Sequence, residues 1–232
     1  MRKLLLGSVT GLVALGAVGG LVAQGAPPPH DPATLPETKG VVERYSLAPR
    51  GEVDGLILKD GTQIHVPPHL AAELVDAVKP GDNVAVHGLR TLRLPLVEAV
   101  SITDETDGRT VLDQGPSHWP ELPSFDRRSE LSAEGKVRMA LYGPRGETNG
   151  ALLEDGTFLR LPPHEAERLS DMLVPGRTIA ARGPGVSGPN GTVIEVALMG
   201  PSLDQLGRLG PPPGKGPPPP PVPPVNSMIY NN

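Results

Sequence analysis

Two short segments of the sequence carry an arginine and a glutamate at the same spacing. The chain reads Pro-Arg-Gly-Glu at residues 49–52 and again at residues 144–147. A guanidinium presents a fork of N–H donors and a carboxylate accepts such donors, so each pair could bind a polar ligand. The same two side chains could instead form an ion pair that holds their own turn. The ligand-binding residues predicted from these segments are Arg50, Glu52, Arg145 and Glu147.

Histidine is the second residue type that could do chemistry in this chain. His65 and His69 are four residues apart, a spacing that suits a pair of metal ligands. In an internal repeat described below, however, Arg160 stands in the place of His65, and a cation cannot replace a metal ligand. His69 and His164 occupy the same position in both copies. We predict these two as ligand-binding residues, with a hydrogen bond at a helix start as the alternative, and we predict no metal ligand and no cofactor.

Catalytic motifs are missing from the sequence. There is no Gly-x-Ser-x-Gly elbow, phosphate-binding loop, His-Glu-x-x-His pair or glycine-rich dinucleotide fingerprint. The chain also has no cysteine, which excludes disulfides, thiol nucleophiles, cysteine-based zinc sites and iron–sulfur ligation. We therefore expect a protein that is not an enzyme.

An internal repeat organises the chain. Residues 40–88 align without a gap on residues 135–183, with 21 identities in 49 positions. The identities concentrate in three motifs: Pro-Arg-Gly-Glu, Asp-Gly-Thr and Pro-Pro-His. Similarity of this extent at a fixed offset predicts two homologous domains.

Each copy predicts the same order of elements. Residues 41–47 form a first strand, and residues 56–66 form a hairpin about Asp60-Gly61, the dipeptide favoured at a type I′ turn. A short helix follows the Pro-Pro pair, because apolar residues recur at i, i+3, i+4 and i+7 from Ala71. A fourth strand at 83–87 and a fifth at 96–102 complete the copy.

This order of three strands, a helix and two strands, in about 65 residues, resembles the oligonucleotide/oligosaccharide-binding (OB) fold. The resemblance covers both copies. It implies a mainly β chain with two small five-stranded barrels, each with one short helix between strands three and four, and disordered flanks. Within this class the chain resembles uncharacterised exported or periplasmic bacterial proteins, a resemblance that implies no known activity. A small SH3-like barrel is the alternative, which the helix in mid-domain disfavours.

The N-terminus predicts export. Arg2 and Lys3 precede an uncharged stretch over residues 4–23 and a small-x-small pattern at 23–25, as in a secretory signal peptide. An uncleaved membrane anchor is the alternative. We expect the mature protein to be periplasmic or secreted, with no stable membrane span. The predicted organisation is a signal peptide at 1–25, a Pro-rich linker at 26–38, a first barrel at 39–103, a linker partly packed on the barrel at 104–133, a second barrel at 134–206 and a Pro-rich disordered tail at 207–232.

Two segments outside the barrels have alternative interpretations. The tail is proline-rich over residues 210–225, which predicts an extended rod that serves as a spacer or as a docking strip for an aromatic groove. Trp119, the single tryptophan, is interpreted as an anchor for the linker, with stacking on a ligand as the alternative.

Charge and aromatic content disfavour nucleic acid as a partner. Without Arg2 and Lys3 the chain has 19 basic and 26 acidic residues, a formal charge of −7. Single-stranded nucleic acid is bound by aromatic side chains on a basic groove, and only Phe158 lies on the second or third strand of either copy. From these observations we expect an envelope protein or polymer as the partner rather than nucleic acid.

The loops between strands four and five differ between the copies, so we expect the two barrels to bind differently. The first reads Leu-Arg-Thr-Leu-Arg at 89–93, and the second is rich in glycine and proline over 184–191. The sequence favours an exported, non-enzymatic binding or adaptor protein of the bacterial envelope that uses its OB-fold loops. The alternative is a periplasmic stress-response protein that binds a metal or small solute through His65, His69 and His87.

Overall fold

The structure is a computed structural model, and it describes residues 31–115 and 128–210. The predicted signal peptide, Trp119 and the proline-rich tail from residue 211 onward lie outside the described residues. The chain divides into two compact units, Met1–Asp31 and Pro32–Asn232, and every helix and strand given below belongs to the second unit. In the two described ranges no helix has both the length and the apolar character needed to cross a membrane.

The first copy of the repeat forms one set of strands with a single α-helix. Its strands are β1 (Glu37–Leu47), β2 (Val53–Leu58), β3 (Gln63–His65), β4 (Asn83–Arg90), β5 (Leu96–Asp104) and β6 (Thr110–Leu112). Helix α1 (Ala71–Ala77) follows a 3-10 turn at Pro68–Leu70, and another 3-10 turn at Pro32–Thr34 precedes β1. Pro68 begins its turn without losing a hydrogen bond, because the N–H groups of the first residues of a helix have no partner within the helix.

The second copy repeats this arrangement. Its strands are β7 (Ser129–Tyr142), β8 (Thr148–Leu153), β9 (Phe158–Arg160), β10 (Thr178–Gly188), β11 (Gly191–Glu195), β12 (Leu198–Gly200) and β13 (Gly207–Arg208). Helix α2 (Pro163–Arg168) and a 3-10 turn at Ser170–Met172 lie between β9 and β10.

Strand pairing closes each set into a barrel. β1 pairs with β2 and β4, and β5 pairs antiparallel with β4 and parallel with β3, which gives the closed order β1-β2-β3-β5-β4. The second set closes in the same order, β7-β8-β9-β11-β10. A closed five-stranded barrel with a helix between its third and fourth strands is the OB fold. The predicted fold class, mainly β with two such barrels, is confirmed.

One long strand in each barrel bends so that it can take part in two pairings. In β1, residues 37–41 pair with β4 and residues 42–47 pair with β2, with an irregularity in register at Val42. Bulges of this kind increase the local twist that barrel closure requires. Gly40 lies at the bend, where a Cβ atom would stand 2.8 Å from the side chain of Leu58.

The hairpin turn differs in type from the prediction. The N–H of Gly61 donates to Leu58 O and the N–H of Leu58 donates to Thr62 O, both at 2.9 Å. This pattern is a three-residue loop in which a turn is followed by a glycine in the left-handed region, here at φ 87°. The expected two-residue type I′ turn was therefore wrong, because the Asp60 carboxylate accepts from the Thr62 N–H at 2.9 Å and holds the longer loop.

Apolar burial joins the two barrels. One hydrophobic cluster contains the core of the first barrel, including Ile64 and Leu74, together with Leu141 and Phe158 of the second. A separate cluster around Leu159 forms the remaining core of the second barrel. The junction is the surface where the two barrels meet. Because a single cluster crosses it, we expect the barrels to be held together by the hydrophobic effect as well as by polar contacts.

Candidate binding surfaces

Equivalent positions of the two barrels contact each other reciprocally. Nε2 of His65 in β3 lies 2.7 Å from the carbonyl oxygen of Tyr142, while Nε of Arg160 in β9 donates to the carbonyl oxygen of Leu47 at 2.7 Å. His65 and Arg160 are equivalent in the repeat, and so are Leu47 and Tyr142. When residue i contacts j and j contacts i, the interface is of the two-fold, isologous kind. The tandem repeat is thus paired as the two halves of a symmetric dimer would be.

A salt bridge joins one further pair of equivalent residues. Glu43 and Arg138 occupy the same position in the two copies, and Arg138 donates to both carboxylate oxygens of Glu43 at 2.5 Å. Since equivalent residues can meet directly only near a two-fold axis, this pair marks that axis. The hydrogen bonds from Arg138 hold the pKa of Glu43 below its ordinary value.

The third strand of each barrel contributes to this junction, with a polar residue in the first barrel and an apolar residue in the second. Nε2 of Gln63 donates to Ala140 O at 2.9 Å, and Oε1 of Gln63 accepts from the Tyr142 N–H at 3.0 Å. The equivalent residue of the second barrel, Phe158, is fully buried in the shared cluster. Strands two and three carry the usual ligand face of an OB fold. Here part of that face in each barrel is covered by the other barrel.

Arg160 is the most connected side chain of the junction. It is 3% exposed, and besides Leu47 O it donates to Asn149 Oδ1 at 2.8 Å and to Ser46 Oγ and Asp54 Oδ2, each at 3.0 Å. A buried guanidinium is stable only when its N–H groups and its charge are satisfied together. These contacts provide both, so Arg160 is part of the structure of the junction and its donors are not free for a ligand.

The predicted Pro-Arg-Gly-Glu turns lie beside this junction. A Cβ atom on Gly51 would be 3.2 Å from Val186 of the second barrel, and one on Gly146 would be 3.3 Å from Leu94 of the first. Both glycines have positive φ, 91° and 81°. They are therefore required for the turn and for close approach of the opposite barrel, in addition to any role in ligand binding.

The two predicted Arg/Glu pairs differ in their contacts. Arg145 and Glu147 are 3.9 Å apart, and Glu147 Oε2 accepts from the N–H of Arg145 at 3.0 Å. This is the local pairing that the sequence left open. No such ion pair joins Arg50 and Glu52, both of which lie in the described part of the chain. Arg50 is exposed, so the first turn presents its guanidinium to solvent.

The predicted histidines lie apart from each other. Nε2 of His69 is 3.0 Å from Asp113 Oδ1, which links the turn before α1 to the segment after β6. Nε2 of His164 is buried without a hydrogen-bond partner, and His87 contacts Leu35 O at 3.3 Å. Among residues 31–115 and 128–210 no three His, Cys, Asp or Glu side chains form a group that could hold a metal.

Glu98 of β5 is a carboxylate close to the junction. Its register partners are His65 on β3 and Leu89 on β4, and His87 pairs with Ser101. Burial raises the pKa of Glu98; His65 lowers that pKa and Glu147 of the second barrel raises it further.

A cleft opens at the edge of the junction. Its volume is about 300 Å³. The lining residues are Pro49 of the first barrel and Glu147, Asn149, Arg160, Leu161, Pro162, Pro163 and Glu195 of the second. Apart from Glu147, these residues were not predicted as ligand contacts. The Pro-Pro motif was noted only as a helix start, and no periodic signal identifies residues that meet across two domains.

The loop between β4 and β5 of the first barrel is a second surface that the prediction of site residues missed. Leu92 at its apex is completely exposed, and Leu89 is 62% exposed. Arg90 and Arg93 are exposed beside them. The difference between the copies could have identified this surface from the sequence, since these leucines and arginines stand where the second copy has glycine and proline.

Similarity to known proteins is found among solved structures. No protein-family model and no curated protein sequence matches the chain. Two solved structures of the single-stranded DNA binding protein from Thermus aquaticus are similar to it. A deletion mutant of that protein is 15% identical, and the match covers 78% of this chain and 96% of that one with a TM-score of 0.21. The wild-type structure is 13% identical, with coverages of 78% and 94% and a TM-score of 0.21.

These two similarities correct one expectation. Nucleic acid was disfavoured as a partner on net charge and aromatic content, and that exclusion was wrong, because both similar structures are single-stranded DNA binding proteins. The physical reason is that net charge describes the whole chain, whereas a ligand meets a local surface. The two similarities lift the exclusion and assign no ligand to this chain. Single-stranded DNA therefore belongs in every binding test below.

Proposed function

We propose that the chain is an exported, non-enzymatic binding protein of the bacterial envelope, an adaptor that holds an extended protein or polymer segment in the junction cleft. The observation that carries this proposal is the cleft, which Pro49 of the first barrel lines together with Leu161 and Pro162 of the second. Because both barrels contribute to its wall, the cleft is complete only when they are paired.

The lining of the cleft favours a partner that has apolar groups and also donates hydrogen bonds. Proline and leucine side chains line it together with the Glu147 and Glu195 carboxylates, which can accept hydrogen bonds. Arg50 follows Pro49 directly and is exposed, so it can add one donor fork at the rim. A volume of about 300 Å³ is at the small end for ligand sites, and it suits a few residues of an extended chain.

Two parts of this proposal come from the sequence. Export rests on the basic, uncharged and small-x-small pattern of residues 1–25. The non-enzymatic role rests on the lack of catalytic motifs in the sequence. A binding role agrees with the OB fold, in which the loops around the barrel carry the ligand contacts.

Site-specific cross-linking in the native envelope tests the proposal. The chain has no cysteine, so a Pro49→Cys variant accepts a photo-cross-linker at one position. Val174 is 50% exposed and does not line the cleft, which makes Val174→Cys the matched control. We expect one defined protein or polymer to be cross-linked from position 49 and not from position 174, and to be identified by mass spectrometry.

Two results would contradict the proposal. Equal cross-linking from both positions would show that the cleft has no special role. Cross-linking of a single-stranded oligonucleotide from position 49, in preference to envelope components, would replace the proposed class of partner. Intact mass spectrometry confirms the label on each variant, and the unfolding curve of each variant checks that the barrels remain folded together.

A further inference from the structure

Residues 89–95 of the first barrel, which are the last two residues of β4 and the loop that follows, project apolar side chains into solvent. Leu92 is 102% exposed and Leu89 is 62% exposed, whereas Leu96, where β5 begins, is fully buried. Single exposed leucines are common on protein surfaces, but two leucines in one short segment form a local apolar patch. Leu89 joins the strand ladder through its backbone, opposite Glu98, and its side chain lies in solvent.

Hydrogen bonds hold this loop in one shape. The Thr91 hydroxyl donates to Leu94 O at 2.9 Å, and the Thr91 N–H donates to Leu96 O at 3.1 Å. The Leu96 N–H donates to Leu94 O at 2.8 Å. Leu92 and Arg93 are therefore presented at the apex of an ordered loop, and binding need not order the backbone first.

Three arginines lie in or beside this segment. Arg90 ends β4 and Arg93 lies in the loop; both are exposed, and within the described residues neither makes a salt bridge. Arg145 is 90% exposed, and its neighbour Gly146 lies against Leu94 of the loop. Among the acids of this region, Glu147 accepts from its own turn and Glu98 is partly buried. The surface is thus cationic and apolar in a chain whose net charge is −5.

We propose that residues 89–95, together with Arg145, dock the protein on an anionic phospholipid surface. Leu89 and Leu92 would enter the region between headgroups and acyl chains, while the arginines contact lipid phosphates from above, as amphipathic elements do at membrane interfaces. The apex is convex, and a fluid bilayer admits a convex loop without a matching pocket. This proposal rests on the proposed function in one respect, because export places the loop beside the envelope lipids.

Charge also determines the orientation of this docking. Basic residues near an anionic membrane are attracted over a distance set by the Debye length, about 8 Å at physiological salt. The rest of this acidic chain is repelled, so the loop would face the membrane. The equivalent loop of the second barrel cannot act in this way, because Ser187, Gly188, Pro189 and Asn190 at its tip provide neither leucine nor arginine.

A labelled loop tests the proposal directly. We would attach an environment-sensitive fluorophore to Leu92→Cys and, as the matched control, to Val174→Cys in the chain of residues 26–232. Each is titrated with vesicles of equal parts phosphatidylglycerol and phosphatidylcholine, with pure phosphatidylcholine vesicles, and with an oligothymidylate. We expect a blue shift at position 92 only, with at least tenfold tighter binding to the anionic vesicles and weaker binding at high salt.

Variants of the loop separate the contribution of the arginines to membrane binding from that of the leucines. Arg90→Gln with Arg93→Gln should reduce binding to anionic vesicles at least tenfold, and Leu89→Ser should reduce the blue shift at position 92. Arg208→Gln, an exposed arginine outside the loop, should leave both unchanged. No vesicle binding, an equal shift at position 174, or oligothymidylate binding that replaces vesicle binding would overturn the proposal. Because pure lipids are used, such a failure would leave cross-linking in the cleft unaffected.

Discussion

Equivalent positions on the third strands of the two barrels contact the opposite barrel through different side chains. In the first barrel His65 makes one hydrogen bond across the junction, to Tyr142 O at 2.7 Å. In the second barrel Arg160, at the equivalent position, contacts Leu47, Ser46, Asn149 and Asp54. The duplicated scaffold preserves the place of the contact but not its strength. Pairing is therefore asymmetric in energy although it is close to symmetric in geometry.

The same comparison separates structural from binding surfaces. Strand three and the Pro-Arg-Gly-Glu turn are used for pairing in both barrels. The loop between strands four and five has instead diverged, from leucine and arginine at 89–93 to glycine and proline at 184–191. Residues that pair the barrels must satisfy a partner that is always present, whereas the outer loop is free to acquire a separate ligand.

The largest expected loss of stability comes from removing the guanidinium of Arg160. Arg160→Met keeps most of the side-chain volume but leaves the Asp54 carboxylate without its partner. Breaking a buried ion pair on one side costs about 3 to 5 kcal/mol. Urea unfolding followed by circular dichroism should show this loss in the free energy of unfolding.

The equivalent change in the first barrel is the control for that prediction. His65→Leu removes one hydrogen bond and should cost about 1 kcal/mol. Asp54→Asn in the Arg160→Met background should recover part of the loss, because it removes the uncompensated charge. Equal losses for Arg160→Met and His65→Leu would show that the energetic asymmetry is wrong.

Truncation of Phe158 tests whether the shared core couples the barrels. Phe158→Ala should cost about 3 to 4 kcal/mol, since large-to-small changes in a core also leave a cavity. Because the affected cluster crosses the junction, we expect the single unfolding transition of the wild type to separate into two. Calorimetry measures both effects.

The equivalent position provides a matched control for Phe158. Gln63→Ala removes polar contacts to Ala140 and Tyr142 and should cost about 1 kcal/mol without splitting the transition. Two transitions already present in the wild type would show that the cluster does not join the barrels into one cooperative unit.

Much of the fold could be predicted because its signals are local. The repeated glycines and prolines mark turns, and the stripe from Ala71 marks the helix, so the order of elements gave the barrel topology. The turn at Asp60-Gly61 was misassigned because the same dipeptide serves both a two-residue loop and a three-residue loop. The choice between them depends on the side-chain hydrogen bond from Asp60 to Thr62.

The junction could not be predicted in the same way. Gln63 and Phe158 occupy one position with unrelated chemistry, and neither shows which surface it faces. The retained Gly51 and Gly146 were interpreted as parts of a ligand-binding turn, yet each also lies against a residue of the opposite barrel. A contact between two folded domains depends on the complementarity of complete surfaces, which no local spacing encodes.

The salt bridge on the two-fold axis should contribute a smaller, pH-dependent amount. Glu43→Gln removes a partly buried bidentate pair and should cost about 1 to 2 kcal/mol at pH 7. The pKa of Glu43 is lowered by its hydrogen bonds to Arg138. Its contribution is therefore complete above the ordinary glutamate value of 4.5 and is lost as pH falls through the lowered pKa.

A double-mutant cycle checks that this energy belongs to the pair. Arg138→Gln alone and the double variant should each lose about as much stability as Glu43→Gln, since neither side chain has another partner of equal strength across the junction. Stability measured from pH 7 to pH 2 should converge for wild type and Glu43→Gln at the acid end. A constant difference across that range would contradict the assignment.

The smallest predicted effect has opposite signs in the two barrels. Burial raises the pKa of Glu98, so its ionised form opposes folding. That cost develops as pH rises from 4.5, the ordinary value, to the raised pKa. Glu98→Gln should therefore stabilise the protein by less than about 1 kcal/mol at pH 7 and have no effect below pH 4.

The equivalent residue, Glu195, accepts from Arg128 at 2.8 Å, so Glu195→Gln should destabilise slightly, by 0 to about 1 kcal/mol. Melting temperatures at pH 4 and pH 7 for the two variants compare these effects under identical conditions. Stabilisation by both substitutions, or by neither, would mean that the carboxylates of the two barrels have the same environment. Opposite signs would show that the charge of Glu98 lowers the stability of the folded protein, whereas the charge of Glu195 does not.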